Sequence, residues 1–214
     1  SSALTQNLGT FKRWYSQAGT PRLQARGAYN AAERSYTLTL NQSCPATPGQ
    51  NSKQPFVIPV TLGLLSRDGQ ALPLQLAGSD ETLSQQTLVL TEASASYTFV
   101  NIDSEPVPSL LRGFSAPVVL QDGLSTAELL SLLAHDNDPF NQWEAGQRLM
   151  LQSAVDALTQ DKAGPVLSDE LVNALRNVLR HPGLDAAFKD LALTLPSENY
   201  IADQLGLVNP QRVH

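Results

Sequence analysis

Apolar and polar residues alternate strictly through Tyr36-Thr37-Leu38-Thr39-Leu40-Asn41. That period of two belongs to a half-buried strand, whose side chains point to opposite faces in turn. Phe56, Ile58, Val60, Leu62 and Leu64 form a second such row. Pro59 interrupts it and, lacking an N–H, predicts an edge position or a bulge. Arg67-Asp68-Gly69-Gln70 supplies a turn, and Leu72, Leu74 and Leu76 resume the alternation, which predicts a hairpin over 56–76. Leu88 with Leu90 and Tyr97 with Phe99 continue the pattern, and weaker runs occur at 22–26 and 117–120. About seven short antiparallel strands with turn-rich connections predict an Ig-like β-sandwich.

Beyond residue 120 the period changes to that of helices. Ser125-Thr126-Ala127-Glu128 is a capping box, in which Ser accepts from the N3 amide and Glu128 reaches back. Asp138-Pro139 places a capping carboxylate before a proline at the first helical position, opening a helix expected to run to about Thr159. Ser168 precedes Asp169 and Glu170, whose charges suit a helix N-terminus, with Leu171, Leu175, Val178 and Leu179 on one face. Pro182-Gly183 breaks the pattern. Leu184, Ala187, Phe188, Leu191 and Leu195 form the next stripe, and Ser197 opens a short helix that Gly206 can end. Short connections predict an all-α region of helical hairpins. No internal repeat of solenoid period is evident.

Composition sharpens this division. Residues 1–120 hold 20 Val, Ile or Thr and 9 of the 14 prolines, whereas residues 121–214 hold 10 Val, Ile or Thr and 18 Leu. The first part carries 8 Lys/Arg against 7 Asp/Glu, the second 6 against 13. A formal net charge of −6 argues against nucleic acid as a partner. No apolar run reaches the roughly 18 residues that span a bilayer. One cysteine, Cys44, leaves no internal disulfide to form, and we expect a cytoplasmic setting. The first residue is Ser1, and Asn209-Pro210 announces a helix four residues before His214, so we expect a segment of a longer protein.

Catalytic chemistry is not legible. The three histidines, His135, His181 and His214, stand in no H-E-x-x-H or H-x-x-E-H frame. His135-Asp136-Asn137-Asp138 reads better as a helix end and a cap than as a ligand cluster. Cys44 precedes Pro45 in a polar loop, and nothing nearby in sequence lowers its pKa. There is no G-x-S-x-G elbow and no glycine-rich phosphate loop. Asn41-Gln42-Ser43 matches a glycosylation sequon, which is frequent by chance, and Trp14 and Trp143 are expected as core anchors. No residue is assigned to catalysis, to a cofactor or to a metal.

Four stretches carry a resemblance: Phe11-Lys12-Arg13-Trp14-Tyr15-Ser16-Gln17-Ala18-Gly19-Thr20-Pro21, Gln54-Pro55-Phe56-Val57-Ile58-Pro59-Val60, Pro106 to Val118 (PVPSLLRGFSAPV), and His135 to Gln147 (HDNDPFNQWEAGQ). The first reads physically as a short helix ended by a Gly C-cap and a following Pro. Together, in this order, they resemble the bacterial aminopeptidase N family, the alanyl aminopeptidases among the gluzincin zinc metallopeptidases. The resemblance implies the tail of a catalytic domain over 1–20, a β-sandwich over 21–120 and the first helices of a C-terminal helical domain over 121–214. It implies a longer parent that uses zinc to remove N-terminal residues from peptides, with this chain an inactive connector whose partners are the other domains. The family's zinc motif, G-A-M-E-N motif and catalytic tyrosine match no position here, so Tyr15, Tyr29, Tyr36, Tyr97 and Tyr200 inherit no role. The rival reading is a stand-alone β-sandwich module that binds peptide or glycan.

Overall fold

The computed structural model describes residues 12–160 and 166–203. Contacts divide the chain between Gly123 and Leu124 into two compact units.

The first unit holds two β-sheets around one core. A four-residue helix, α1 (Arg13–Ser16), leads into β1 (Arg22–Asn30), which turns back as β2 (Ser35–Ser43). Then follow β3 (Ile58–Leu65), β4 (Ala71–Leu72), β5 (Gln86–Leu90), β6 (Ser94–Phe99), β7 (Val107–Leu110) and β8 (Val119–Gln121). One sheet runs β6-β2-β1-β8; in the other, β4, β5 and β7 all pair with β3. Leu23, Leu38, Leu40, Ile58, Val60, Leu62, Leu90 and Phe99 are completely buried between the sheets. The alternating rows of the sequence are therefore the inner faces of a sandwich.

Several details depart from the expected pattern. The described residues contain eight strands, and β8 pairs with β1 in parallel, not antiparallel. The run at 22–26 is the start of a nine-residue central strand. Its signal is weak because its third inward position is Gly27, and the Tyr36 ring fills the space above it. A Cβ on Gly27 would stand 2.0 Å from the Tyr36 hydroxyl and 2.5 Å from Cζ. The hairpin expected over 56–76 is real but short. Gly69 takes a φ of 83° in its turn, and β4 then pairs only as Leu64↔Leu72 and Leu65↔Ala71. Leu74 and Leu76 turn away to bridge Leu83 and Phe99.

Pro59 lies within the β3–β5 ladder, opposite Val89. The Thr61 amide leaves that ladder and donates to Ser115 Oγ at 3.1 Å. Residues two apart face the same way, so the side of Pro59 that lacks an N–H is the side no strand occupies. The helix α1 has Gln17 as its C-cap, two residues before Gly19, correcting the expected Gly cap. Gly19 does take a positive φ, 98°, in the bend that follows.

The second unit is helical: α2 (Thr126–His135), α3 (Pro139–Gln160), α4 (Asp169–Arg180), α5 (Ala186–Leu193) and α6 (Glu198–Asp203). Each begins beside a short oxygen-bearing side chain. Ser125 and Glu128 form the reciprocal capping box. Asp138 accepts from the Asn141 amide at 3.0 Å, Ser168 from Leu171 at 3.2 Å, Asp185 from Phe188 at 2.7 Å and Ser197 from Tyr200 at 3.3 Å. Such caps satisfy amides that have no intrahelical acceptor. Leu129, Leu132, Leu133, Leu149, Met150, Leu171, Leu175 and Val178 make the buried centre. Two expected stripes are only partly buried: Leu179 is exposed on α4, and Ala187, Leu191 and Leu195 are exposed on and beside α5. Gly206 and the Asn209-Pro210 signal lie outside the described residues, as do Phe11 and His214.

Candidate functional site

Within the helical unit the two described histidines stand at different helix ends. His135 ends α2 and His181 caps the C-terminus of α4, where its Nδ1 accepts from the Gly183 amide at 3.1 Å. Asp136 and Asp138 shape the bend between α2 and α3, with the Asp138 amide donating to Asp136 Oδ1 at 3.0 Å. Cys44 is half-buried in the other unit, its Sγ 3.8 Å from the Ala18 carbonyl oxygen. Among the described residues no three His, Cys, Asp or Glu side chains converge as metal ligands. They do not fit a zinc site. Tyr29 and Tyr97 spend their hydroxyls on the Ile102 and Val89 carbonyls. Desolvation raises the Tyr97 pKa. The Glu170 pKa is lowered, first by a hydrogen bond from backbone and then by one from Ser168. A cleft of about 180 Å³ among Thr126, Leu149, Gln152, Asp156 and Leu171 is smaller than the roughly 300–1,000 Å³ typical of ligand pockets.

A dense polar junction joins residues 13–18 to the loop 47–57. Residues 51–57 have no regular secondary structure, yet Phe56 and Val57 are buried. Their backbone groups need partners that a strand ladder does not give. Glutamine side chains replace it, because a primary amide offers the same donor and acceptor as a peptide unit. Gln17 donates to the Gln54 carbonyl at 3.0 Å and accepts from the Gln54 amide at 2.7 Å. Gln50 pairs likewise with the other segment, donating to Ser16 O at 2.8 Å and accepting from Ala18 N at 2.9 Å. Gln42, on β2, accepts from the Phe56 amide at 2.7 Å and donates to its carbonyl at 2.8 Å.

Charged and aromatic groups complete the junction. Arg13 Nη1 donates to Pro55 O at 2.5 Å, and Trp14 Nε1 donates to Val57 O at 2.9 Å. The Trp14 ring tilts against Phe56 at a centroid distance of 4.7 Å, so Trp14 anchors this segment to the edge of the core. Lys53 uses all three ammonium protons, on Ala18 O at 2.8 Å, Thr47 Oγ1 at 2.7 Å and Gln50 Oε1 at 2.5 Å. Sequence reasoning named Trp14 but gave Gln42, Gln50 and Lys53 no role. Their backbone partners lie 14 to 50 residues away, and no local pattern announces such bonds. This arrangement holds one chain segment against another. It presents no nucleophile paired with a base and no cradle for developing charge.

Two family models match in tandem. One describes a domain of unknown function, DUF3458, with an Ig-like fold and matches residues 19–123; the other describes its C-terminal companion as ARM repeats and matches residues 126–214. Aminopeptidase N of Escherichia coli (strain K12) is 36% identical over 206 residues, covering 95% of this chain and 23% of that protein. Aminopeptidase N of Haemophilus influenzae is 35% identical over 209 residues, covering 97% and 24%. The chain is a homologue of one segment of aminopeptidase N. It spans about a quarter of the length of the curated aminopeptidase N relatives it matches. Legionella pneumophila aminopeptidase A, solved in complex with aspartic acid, shares the fold with a TM-score of 0.76 at 24% identity, over 96% of this chain and 22% of that one. The ARM description was not legible as a repeat. The five described helices have 10, 22, 12, 8 and 6 residues, so the described helices share no constant length.

Proposed function

We propose that this chain is a connecting segment of a zinc-dependent aminopeptidase, and that the longer protein removes N-terminal residues from peptides in the cytoplasm. The divisions proposed are a catalytic-domain tail over 1–20, the sandwich over 21–120 and the start of a helical domain over 121–214. The carrying observation is the junction at 13–18, where Gln50 and Lys53 bind the backbone of the incoming segment and Arg13, Trp14 and Gln17 reach loop backbone in return, although none of the α1 residues is buried. A helix of four residues has no stability of its own. Fixing it to the sandwich fixes the direction from which the chain enters. A zinc ion in the longer protein would be held by residues other than those described here, and would supply an activated water.

The test pairs metal analysis with an alanyl-anilide assay, applied to this chain and to a full-length homologue. We expect stoichiometric zinc and turnover from the full-length protein and neither from this chain. Turnover or stoichiometric zinc with this chain alone overturns the connector reading. An inactive full-length protein overturns the aminopeptidase reading.

A further inference from the structure

We propose that residues 12–18 form a strap that docks on the sandwich and releases from it as a unit, with Lys53 as its latch. This rests on the connector reading and adds a motion to it. The strap packs the Trp14 ring on Phe56, and hydrogen bonds between side chains and backbone tie it further. The sandwich core does not depend on it. Trp14 packs at the periphery of a cluster whose buried members all lie at or beyond residue 23. Opening the strap therefore uncovers little apolar surface, which places it at the low end of local stability.

Two charged side chains tie strap and loop: Arg13 reaches from the strap to Pro55 O, and Lys53 reaches from the loop to the strap. The Lys53 ammonium donates to the strap at Ala18 O and also holds the Gln50 carboxamide oxygen. That oxygen accepts the Ala18 amide, while the Gln50 amide nitrogen holds Ser16 O. Removing the ammonium loosens Ala18 directly and frees Gln50 to rotate. Two further bonds then lose their fixed partner, although neither touches Lys53. The Gln17–Gln54 pair, the Arg13 bond to Pro55 O and the Trp14 bond to Val57 O remain, but none of them holds Ser16 or Ala18. In a longer chain the strap's release lets whatever precedes it swing about the sandwich edge.

Tryptophan content makes this measurable, since the chain has only Trp14 and Trp143. In a Trp143→Phe background the emission reports the strap alone. Lys53→Met keeps the aliphatic stem and removes the charge. The expected result is a red-shifted emission with at least a twofold rise in acrylamide quenching, while far-UV circular dichroism and the unfolding midpoint stay unchanged. Gln50→Ala should act in the same direction. In the unsubstituted chain the Ala18 and Gln54 amides should exchange together, at least tenfold faster than those of Leu38 and Leu40. Trp14 emission that stays shielded in both variants, or strap amides that exchange only with the core strands, overturns the latch. Either result leaves the aminopeptidase reading to its own assay.

Discussion

Leu38 and Leu195 are the same side chain in opposite situations. Leu38 is 0% exposed between two sheets, and Leu195, just past α5, is 62% exposed. The contrast holds for their surroundings. The inward rows of β2, β3, β5 and β6 meet one another and bury their large residues, with Tyr97 half-buried on β6. Of the helical unit's apolar residues, Leu179, Leu191, Leu193, Leu195 and Tyr200 all remain exposed. A sheet pair can bury both inner faces against each other, whereas a stacked-helix array buries each face only when a neighbour is added. Similar apolar periodicity thus encodes a closed core in one unit and an open-faced one in the other.

The sharpest way to break this comparison is to truncate one leucine in each unit. Leu38→Ala should destabilise the sandwich by about 2–5 kcal/mol, the usual cost of a cavity in a packed core. Leu195→Ala should change stability by no more than about 0.5 kcal/mol, as exposed substitutions do. Urea titrations followed by circular dichroism check both. Comparable losses in the two variants would show that the helical unit closes a core of its own.

A smaller effect is expected at Gly27. Ala there forces the buried Tyr36 ring to move, since the new methyl overlaps Cζ and Cε2 as well as the hydroxyl. Overpacking of this kind costs about 1–3 kcal/mol, and the thermal midpoint of the sandwich should fall accordingly. The same residue shows where sequence reading stops. Residues 36–41 and 58–64 declared themselves because each inward position carries its own large apolar side chain. The β1 strand was muted because Tyr36, from the next strand, fills one of its positions. Val107–Leu110 went unassigned because all four residues are buried, which removes the alternation by which a strand is recognised. Helix starts were legible at Ser125, Asp138, Ser168 and Ser197 because a cap acts on amides two or three residues away. The junction was not, because Gln42, Gln50 and Lys53 act on distant backbone, and glutamine has no strong positional habit. The exposure of Leu191 and Leu195 was also hidden, since a stripe announces an apolar face without saying what covers it.

Capping gives a milder test within the helical unit. Ser168→Ala removes the acceptor for the Leu171 amide and should cost about 1 kcal/mol. It also removes one of the hydrogen bonds that lower the Glu170 pKa, so that pKa should move back up, as carboxylate NMR can show.

The smallest expected effects are on pH, and they separate the units by direction. Glu170 has a lowered pKa in the folded chain. Its contribution is present above the ordinary carboxylate range and is lost as pH falls through the lowered value. Tyr97 has a raised pKa. Its contribution is complete below the ordinary tyrosine value and is lost as pH rises through the raised one. Acid should therefore loosen the start of α4 first, and alkali the β6 edge of the sandwich. Amide NMR titrations on both residues' neighbours check the two directions.

Hydrogen exchange on the intact chain tests the central contrast most directly, because it reads the stability of each element in one sample. The account predicts the slowest exchange at Leu38, Leu40, Val60 and Leu62, with amides of α4, α5 and α6 opening faster by orders of magnitude. Helical amides protected as strongly as those strands would contradict it, and would mean that the helical unit is closed without any further neighbour.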